Sequence, residues 1–493
     1  MLGIGLGITS RLRSSVFNPA SLFRNGEQGW FYDLPDMPTL FQDAAGTTPV
    51  TAVGQPVGLM LDKSKGLVLG PELVTNGGPF VNTTGWTAGL GSIGVVGNAF
   101  VLTCATNGRA VAPALTGLVI GNTYQIVVSG VGGDAGVKSI RITTNSDGAT
   151  GVLFTQAITG TSISYTFVAT ATTHYLTLVA TGSTGQTFSI TGASIKLLPG
   201  NHRSQSASLP RPTYARHPLG GIRNLLTRTE EFENANWAKS GGGTGIAAVV
   251  TANAGVAPDG SATADRIVLD KGAGNTLSDL SLVQSNLLTT SNGQHTNSVW
   301  LRSETGTAQV ALRTLGLTTT SPDFVICNLT ENWQRFTLTT NQTGQNTGLQ
   351  ITLRGTYGTS NSAAILAWGA QLELGSTATA YQRVRSVFDV TEAGVPDLYY
   401  LSYDGINDFL STAPFAWGSD KATICGGVRK LSDAAGAIFS EFSASADTNN
   451  GAFYLSSPSG SGLSDFAAVL RGNSTTNGYS LRTFAAPTTN VIT

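Results

Sequence analysis

The sequence predicts an all-β protein built from three β-sandwich or jelly-roll domains. Three observations lead there. Charged residues make up only 12% of the 493 residues, about half the usual quarter, so the Lys and Glu that solvent-facing helices need are scarce. Glycine is abundant at 61 residues, and it clusters with Asn and Asp between short runs that alternate apolar and polar side chains, as turns do between strands. The third observation is repetition: a pattern that opens near Leu73 and closes near Leu197 returns between Asn224 and Leu374, which marks two copies of one module.

Composition also bounds function. A hydrophobic content of 41% supplies real cores, and the length suits roughly three domains of about 150 residues each. A net charge of −1 and a pI of 6.4 give no global drive toward nucleic acid. Cys104, Cys327 and Cys425 lie far apart. They form no metal spacing and no disulfide framework, so each reads as a small hydrophobe, as expected of folding in a reducing cytoplasm. Met1 to Ser10 is apolar but too short for a membrane span. Its arginines, Arg11 and Arg13, follow the apolar run instead of preceding it, so it is not read as a secretory signal. No run of about 18 apolar residues occurs elsewhere.

Residues 1–28 carry Arg11, Arg13 and Arg24 against one acid, Glu27. We read them as an anchoring arm that docks into a larger assembly. The alternative is a frayed terminus. Residues 29–66 alternate aromatics with acids and turn residues. Gly29-Trp30-Phe31-Tyr32-Asp33, Leu40-Phe41-Gln42-Asp43 and Gly46-Thr47-Thr48-Pro49-Val50 are similar to the first strands of bacteriophage tail and minor structural proteins. Asp62-Lys63-Ser64, Asn201-His202, Arg211-Pro212-Thr213-Tyr214 and the strand–turn–strand stretch Leu401 to Leu410, turning at Asp404-Gly405, together resemble the signature of concanavalin A-like (laminin-G-like) lectin domains. The resemblance implies one discontinuous lectin-like sandwich assembled from 29–66, 200–221 and 386–493. Two modules, 67–199 and 222–385, are looped out of it.

Module 1, residues 67–199, leads through Leu73-Val74-Thr75-Asn76 to Trp86. Strand-like runs follow at Ala99–Cys104, Thr123–Ser129, Ser139–Thr144, Ser162–Ala169, His174–Ala180 and Phe188–Leu197, with turns at Asn107-Gly108, Gly121-Asn122 and Asp147-Gly148. Residues 200–221 read as a solvated connection that completes the interrupted domain. Module 2, residues 222–385, echoes module 1. Asn224-Leu225-Leu226-Thr227 with Trp237 answers Leu73-Val74-Thr75-Asn76 with Trp86, and Gly369-Ala370-Gln371-Leu372-Glu373-Leu374 answers Gly192-Ala193-Ser194-Ile195-Lys196-Leu197. Gln125–Ser129 is aligned with Ser298–Arg302, and Ser164–Phe167 with the run Trp333–Thr337. The pair resembles the jelly-roll carbohydrate-binding modules of phage fibre proteins. Strands are expected in the last span at Ala422–Arg429, Ala437–Phe442, Ala452–Leu455, Phe466–Arg471 and Tyr479–Phe484. The lectin-like pattern is incomplete at Thr493, and a longer natural chain is expected.

No catalytic motif stands out. The four histidines form no His-Glu-x-x-His, and no Gly-x-Ser-x-Gly, phosphate loop or Cys-x-x-Cys is present. A glycosidase needs two carboxyls facing each other across a cleft. Asp404 with Asp408, and Glu230 with Glu231, read better as turn and surface residues, so no enzyme and no catalytic residue is expected. Sugar recognition needs an aromatic face with polar groups beside it, and Trp86, Trp237 and Trp333 are the candidate carbohydrate-binding residues. Trp300 and Trp368 read as core. No cofactor is expected beyond one structural calcium, for which Asp259, Asp265, Asp404 and Asp408 are the candidate ligands. The resemblances imply a non-enzymatic virion structural protein, a tail fibre or surface appendage, homo-oligomeric and attaching to host-surface glycan. A purely architectural collar, decoration or adaptor protein and a bacterial surface adhesin are the alternatives.

Overall fold

A computed structural model of the protein describes residues 18–415 and, beyond them, 423–430, 437–440, 453–456, 465–471, 477–483 and 488–492. The described secondary structure is strands, with two short 3-10 turns at Pro19–Phe23 and Met37–Thr39. The all-β expectation holds. The chain divides into two compact units. The first comprises Met1–Thr51, Pro56–Pro212 and Tyr403–Thr493, and the second Ala52–Gln55 and Thr213–Ser402.

In the first unit, one small antiparallel sheet gathers Leu40–Phe41, Leu59–Met60, Arg203–Ser204 and Ser411–Thr412. Asp62 knots the same segments together. Its backbone N–H donates to His202 Nδ1 at 2.9 Å, and its carboxylate accepts from the amides of Phe31, Ser64 and Asn201 at 2.7–2.8 Å and from Ser64 Oγ at 2.8 Å. Asp62 is fully buried, so its carboxylate must find its donors within the protein, which is where an unmade bond costs most. Nearby, the Arg203 guanidinium lies over the rings of Trp30, Tyr32 and Phe439 at 5.4, 4.8 and 5.5 Å. Such cation–π contacts strengthen as they lose water. Burial raises the Tyr32 phenol well above its ordinary pKa.

Module 1 lies in this unit. Its inner faces meet in one apolar core that includes Phe80, Trp86, Phe100, Ile126, Ile140, Leu176, Phe188 and Ile195. Each such side chain contributes about 1.5–3 kcal/mol by leaving water. Alternation accounts for the choice of face: on Thr123–Ser129, Tyr124, Ile126 and Val128 are buried while Gln125 and Val127 face outward. Two expectations change. Asn107-Gly108, read as a turn, opens the strand Asn107–Val111, which pairs with Thr173–Thr181 and buries Ala110 and Val111. The run Phe188–Leu197 is two strands. Thr187–Ile190 pairs with Ala99–Thr103 and Gly192–Leu198 with Thr123–Ser129, so the chain changes sheets at Thr191.

Module 2 supplies the core of the second unit, around Phe232, Trp237, Val299, Leu312, Ile351 and Ile365. Its main sheet is ten-stranded. Gln334–Arg354, a strand of 21 residues, pairs with Gly293–Ser303 along its first half and with Leu280–Ser285 and Ala308–Thr318 along its second. A four-stranded sheet of Gln382–Ser386, Asp389–Glu392, Thr213–Pro218 and Asp397–Ser402 also belongs to this unit.

Equivalent hydrogen bonds inside each module fix which residues of the two sequences correspond. Leu73 N donates to Ile195 O, and Leu225 N to Leu372 O. The Glu72 carboxylate accepts from the amides of Val74 and Ile195, and the Asn224 side-chain oxygen from those of Leu226 and Leu372. Asn76 and Arg228, each four residues further on, share a left-handed φ of 54°. Their carbonyls accept the indole N–H of Trp86 and of Trp237, both at 2.9 Å. This register shows that the two internal strand alignments slip. Ser194 pairs with Val127 and Gln371 with Ser298, so Val127 answers Ser298. Pairing onward from there, Ser164 answers Thr337. Alternation alone cannot fix a register when every second position looks apolar.

The stretch 401–410 is only partly as expected. Asp397–Ser402 is a strand and Gly405 turns at φ 73°, but no second strand follows through 406–410. Asp404 Oδ1 accepts from the amides of Ile406, Asn407 and Asp408, an arrangement that competes with strand pairing. In the last span the described strands are Gly426–Lys430, Ala437–Ser440, Phe453–Ser456, Asp465–Arg471, Asn477–Thr483 and Thr488–Ile492, the last pairing with Gly426–Lys430, where no strand was expected. The expected positions Ala422, Glu441, Phe442, Ala452 and Phe484 lie outside the described residues.

Candidate functional site

The first unit carries a groove of about 340 Å³, within the range of small-ligand sites. Strand alternation builds its aromatic wall. Phe154 and Tyr165 stack at 4.4 Å with their planes 21° apart, both half-buried. Beside them Leu153 and Val168 are 37% and 39% exposed. Thr123, Thr170 and Ser204 bring hydroxyls to the wall, and Asn201 and His202 close one end. Ala45 closes another part: its carbonyl accepts from Thr166 N at 2.7 Å and Thr166 Oγ1 at 3.0 Å.

The polar groups of this groove are held in place. Asn201 donates its side-chain amide to Gly29 O at 2.6 Å. His202 has one ring nitrogen on the Asp62 amide and the other against Leu198 O at 3.2 Å, and burial lowers its pKa, which keeps the imidazole neutral. Burial, and then the charge of Asp43, raises Tyr165, so its phenol stays protonated as a donor. A flat apolar patch beside hydroxyl groups can stack on a sugar ring and bond its rim. None of these residues was a sequence candidate. Tyr165 lay in a strand run with nothing to distinguish it, and Phe154 in a strand, Val152–Ala157, that the alternation did not reveal.

Two of the three candidate tryptophans are corrected. Trp86 is 5% exposed and Trp237 1% exposed, and both spend their N–H on a backbone carbonyl. A ring buried on both faces in a core cannot stack on a ligand. Trp86 packs against Phe80 and Phe100, and Trp237 against Phe232. Trp333 is different. It is half-buried, donates to Val256 O at 3.0 Å, and carries the Arg302 guanidinium 5.7 Å from its ring. Beneath it lie Trp300, Trp368 and Tyr381. Arg24 is exposed at the end of the Pro19–Phe23 turn, and Lys65 Nζ bonds Glu27 O nearby at 2.6 Å. Arg11 and Arg13 lie outside the described residues.

The acids are committed elsewhere. Glu230 is buried, which raises its pKa, and it pairs with Arg383 at 3.1 Å. Glu231 pairs with Arg228 at 2.9 Å. Asp259 caps Ser261. Asp265, 1% exposed, accepts from the amides of Phe232 and Asn253, and burial together with a proton shared toward Glu233 pushes it up to about 7. Among the described residues, no group of three or more His, Cys, Asp or Glu side chains is placed to hold a metal ion. The expected calcium ligands Asp259, Asp265, Asp404 and Asp408 are therefore not brought together: Asp259, Asp404 and Asp408 accept amides of their own turns, and Asp265 those of Phe232 and Asn253.

No family model matches the chain, and no curated protein matches it. Among solved structures it is similar to a tandem of family 22 carbohydrate-binding modules from Paenibacillus barcinonensis. The identity is 12%, the match covers 62% of this chain and 98% of that one, and the TM-score is 0.23. It is also similar to the enzymatically active domain of tailspike protein 4 of bacteriophage CBA120, at 14% identity, 31% and 21% coverage and a TM-score of 0.22. A third is the tripod from the baseplate of bacteriophage Tuc2009, at 11% identity, 56% and 99% coverage and a TM-score of 0.18.

Proposed function

We propose that this chain is a non-enzymatic structural protein of a bacteriophage virion, a tail fibre or other surface appendage whose β-modules recognise glycan on the host surface. The observation that carries the reading is the groove beside Phe154 and Tyr165, where a stacked aromatic pair meets hydroxyl-bearing side chains. The sequence resemblance of residues 29–66 to phage minor structural proteins supplies the virion context. In this reading modules 1 and 2 are loops of a lectin-like sandwich, supported by the sheet that joins residues 40, 60, 203 and 412. The carboxylates that a hydrolase would use are held by arginines and backbone amides, which favours binding over catalysis. Residues 1–28 are assigned to attachment within the particle, and multiple copies would strengthen weak single contacts.

A glycan array probed with the full chain and with Tyr165→Ala tests the binding half. We expect a defined set of glycans to bind wild type and to be lost with Tyr165→Ala while folding is kept. Mass spectrometry of purified particles tests the virion half. The burial of Trp86 and Trp237 favours a second, architectural reading, in which the modules bind only other virion subunits. An array with no bound glycan would select it.

A further inference from the structure

Module 1 has an open groove of about 500 Å³ at a place that module 2 fills with its own chain. The shared register sets Gly77 and Gly78 against Thr229 and Glu230, Ser194 against Gln371 and Lys196 against Glu373. Pairing along the next strand sets Ser129 against Trp300. In module 2 the segment Thr379–Gln382 lies across this surface. Thr379 donates to Glu373 through its amide at 3.0 Å and through its hydroxyl. Gln371 accepts from Gln382 N at 2.8 Å and donates to Ala380 O at 3.2 Å. The Tyr381 hydroxyl bonds Thr229 Oγ1 at 2.6 Å and Glu230 at 3.1 Å, and its ring packs on Trp368 at 4.5 Å.

In module 1 the corresponding surface is present but cut back. Two glycines stand where Thr229 and Glu230 hold the tyrosine, and Ser129 stands in the register position of Trp300, and this leaves the volume empty. The chain that follows Leu198 turns away, with Asn201 N donating to Asp62, so it does not supply a filler. Gly77 and Gly78 cannot be enlarged: a Cβ there would come within 2.2 and 2.4 Å of backbone carbonyl oxygens. The charge at the far end is reversed. Lys196 replaces Glu373, and no ion pair of Lys196 occurs among the described residues. Glu72, beside it, is spent on the amides of Leu73, Val74 and Ile195 and on the hydroxyl of Ser194.

We propose that this groove receives an extended segment of a partner polypeptide, laid across the sheet as Thr379–Gln382 is in module 2. The segment carries an acidic residue over Lys196 and, two residues further on, an aromatic residue over Gly77, Gly78 and Ser129. Main-chain and pocket contacts of this kind give peptide grooves their affinity and selectivity. The carboxylate–lysine contact fixes direction and register.

The probe is a synthetic peptide copying residues 376–383 with Thr379→Asp and a benzophenone photoprobe at the position of Tyr381. Irradiated with the full chain, it should label fragments containing 72–78, 127–129 or 192–196. Ser129→Trp fills the volume beside the two glycines and should cut that labelling at least about tenfold, whereas Ser194→Gln restores the side chain that holds the segment in module 2 and should keep or raise it. Their unfolding transitions confirm that both variants fold. Lys196→Glu should lower labelling by the Asp peptide about tenfold and raise labelling by the unsubstituted peptide. No labelling of these fragments in wild type, or labelling indifferent to Ser129→Trp, overturns the proposal. So does an oligosaccharide whose binding Ser129→Trp removes, since the groove would then be a sugar site.

Discussion

Replacing Asp62 by alanine should unfold the first unit preferentially. The carboxylate accepts from three backbone amides and one hydroxyl, all at 2.7–2.8 Å, in a fully buried position. Removing it leaves those donors facing a void. Ser64 Oγ can rotate toward another acceptor, and Phe31 and Asn201 are half-buried, so water recovers part of the loss. At about 1–3 kcal/mol for each buried donor left unpaired, the net cost is about 3–5 kcal/mol. Urea unfolding of the full chain is the assay, with two transitions expected from two compact units. Taking a urea slope of about 3 kcal/mol/M, the transition of the first unit should move down by about 1–1.7 M. The second unit should not respond. A shift below about 0.3 M, or an equal shift in both transitions, would refute the view that Asp62 ties the separated segments together. Asp62→Asn keeps one acceptor oxygen and should fall between the two.

Trp237→Phe should cost the second unit about 2–3 kcal/mol by orphaning the Arg228 carbonyl and opening a small cavity, and Trp86→Phe should do the same to the first unit. Neither should alter glycan binding, and calorimetry beside the array checks both. Arg223→Lys breaks a two-pronged contact to Glu392, made at 2.6 and 2.7 Å, and should destabilise the second unit by about 1–2 kcal/mol in a urea titration. The native Asp265 carboxyl, near Glu233 and Lys239, holds its proton more tightly than an unfolded aspartate. The native state therefore carries more protons between about pH 4 and pH 7, so the second unit loses stability as pH rises through that window, by at most about 4 kcal/mol. Asp265→Asn should flatten that slope, and melting curves taken across the window would expose its absence.

The strands and the repeat were legible in the sequence because alternation and turn residues leave local traces. Thr123–Ser129 and Ser162–Val168 were found nearly to the residue, and the closing match of Gly192–Leu197 with Gly369–Leu374 agrees with the hydrogen bonds, while the opening match is one residue out, since Leu73 answers Leu225 and not Asn224. What failed was anything set by long-range pairing. The internal strand matches slipped because an apolar–polar rhythm fits at more than one offset. Strand Asn107–Val111 was missed because Asn-Gly is also the strongest short turn signal, and pairing with Thr173–Thr181 overrides it. The site was least legible. Repeated tryptophans drew attention because they are rare and matched, yet the same matching reflects a shared core position with the N–H spent on a left-handed turn. Phe154 and Tyr165 become a pair only when two strands fold beside each other, and no spacing in the chain announces that.

The sheet that joins Leu40–Phe41 to Ser411–Thr412 sets a timetable for the molecule. Residue 40 leaves the ribosome long before residue 411, a separation of 371 positions. At about 5–20 residues per second, that interval is about 20–75 s. During it, modules 1 and 2 emerge complete and can bury their own cores, while Leu40–Phe41 has only part of its sheet. Ser411–Thr412 joins that sheet, and Phe439 reaches Arg203, late in synthesis. Pairings of such long span are slow to form and leave strand edges uncovered while they wait. The small sheet is therefore where a nascent chain is most exposed to wrong partners, including the same sheet in a neighbouring copy.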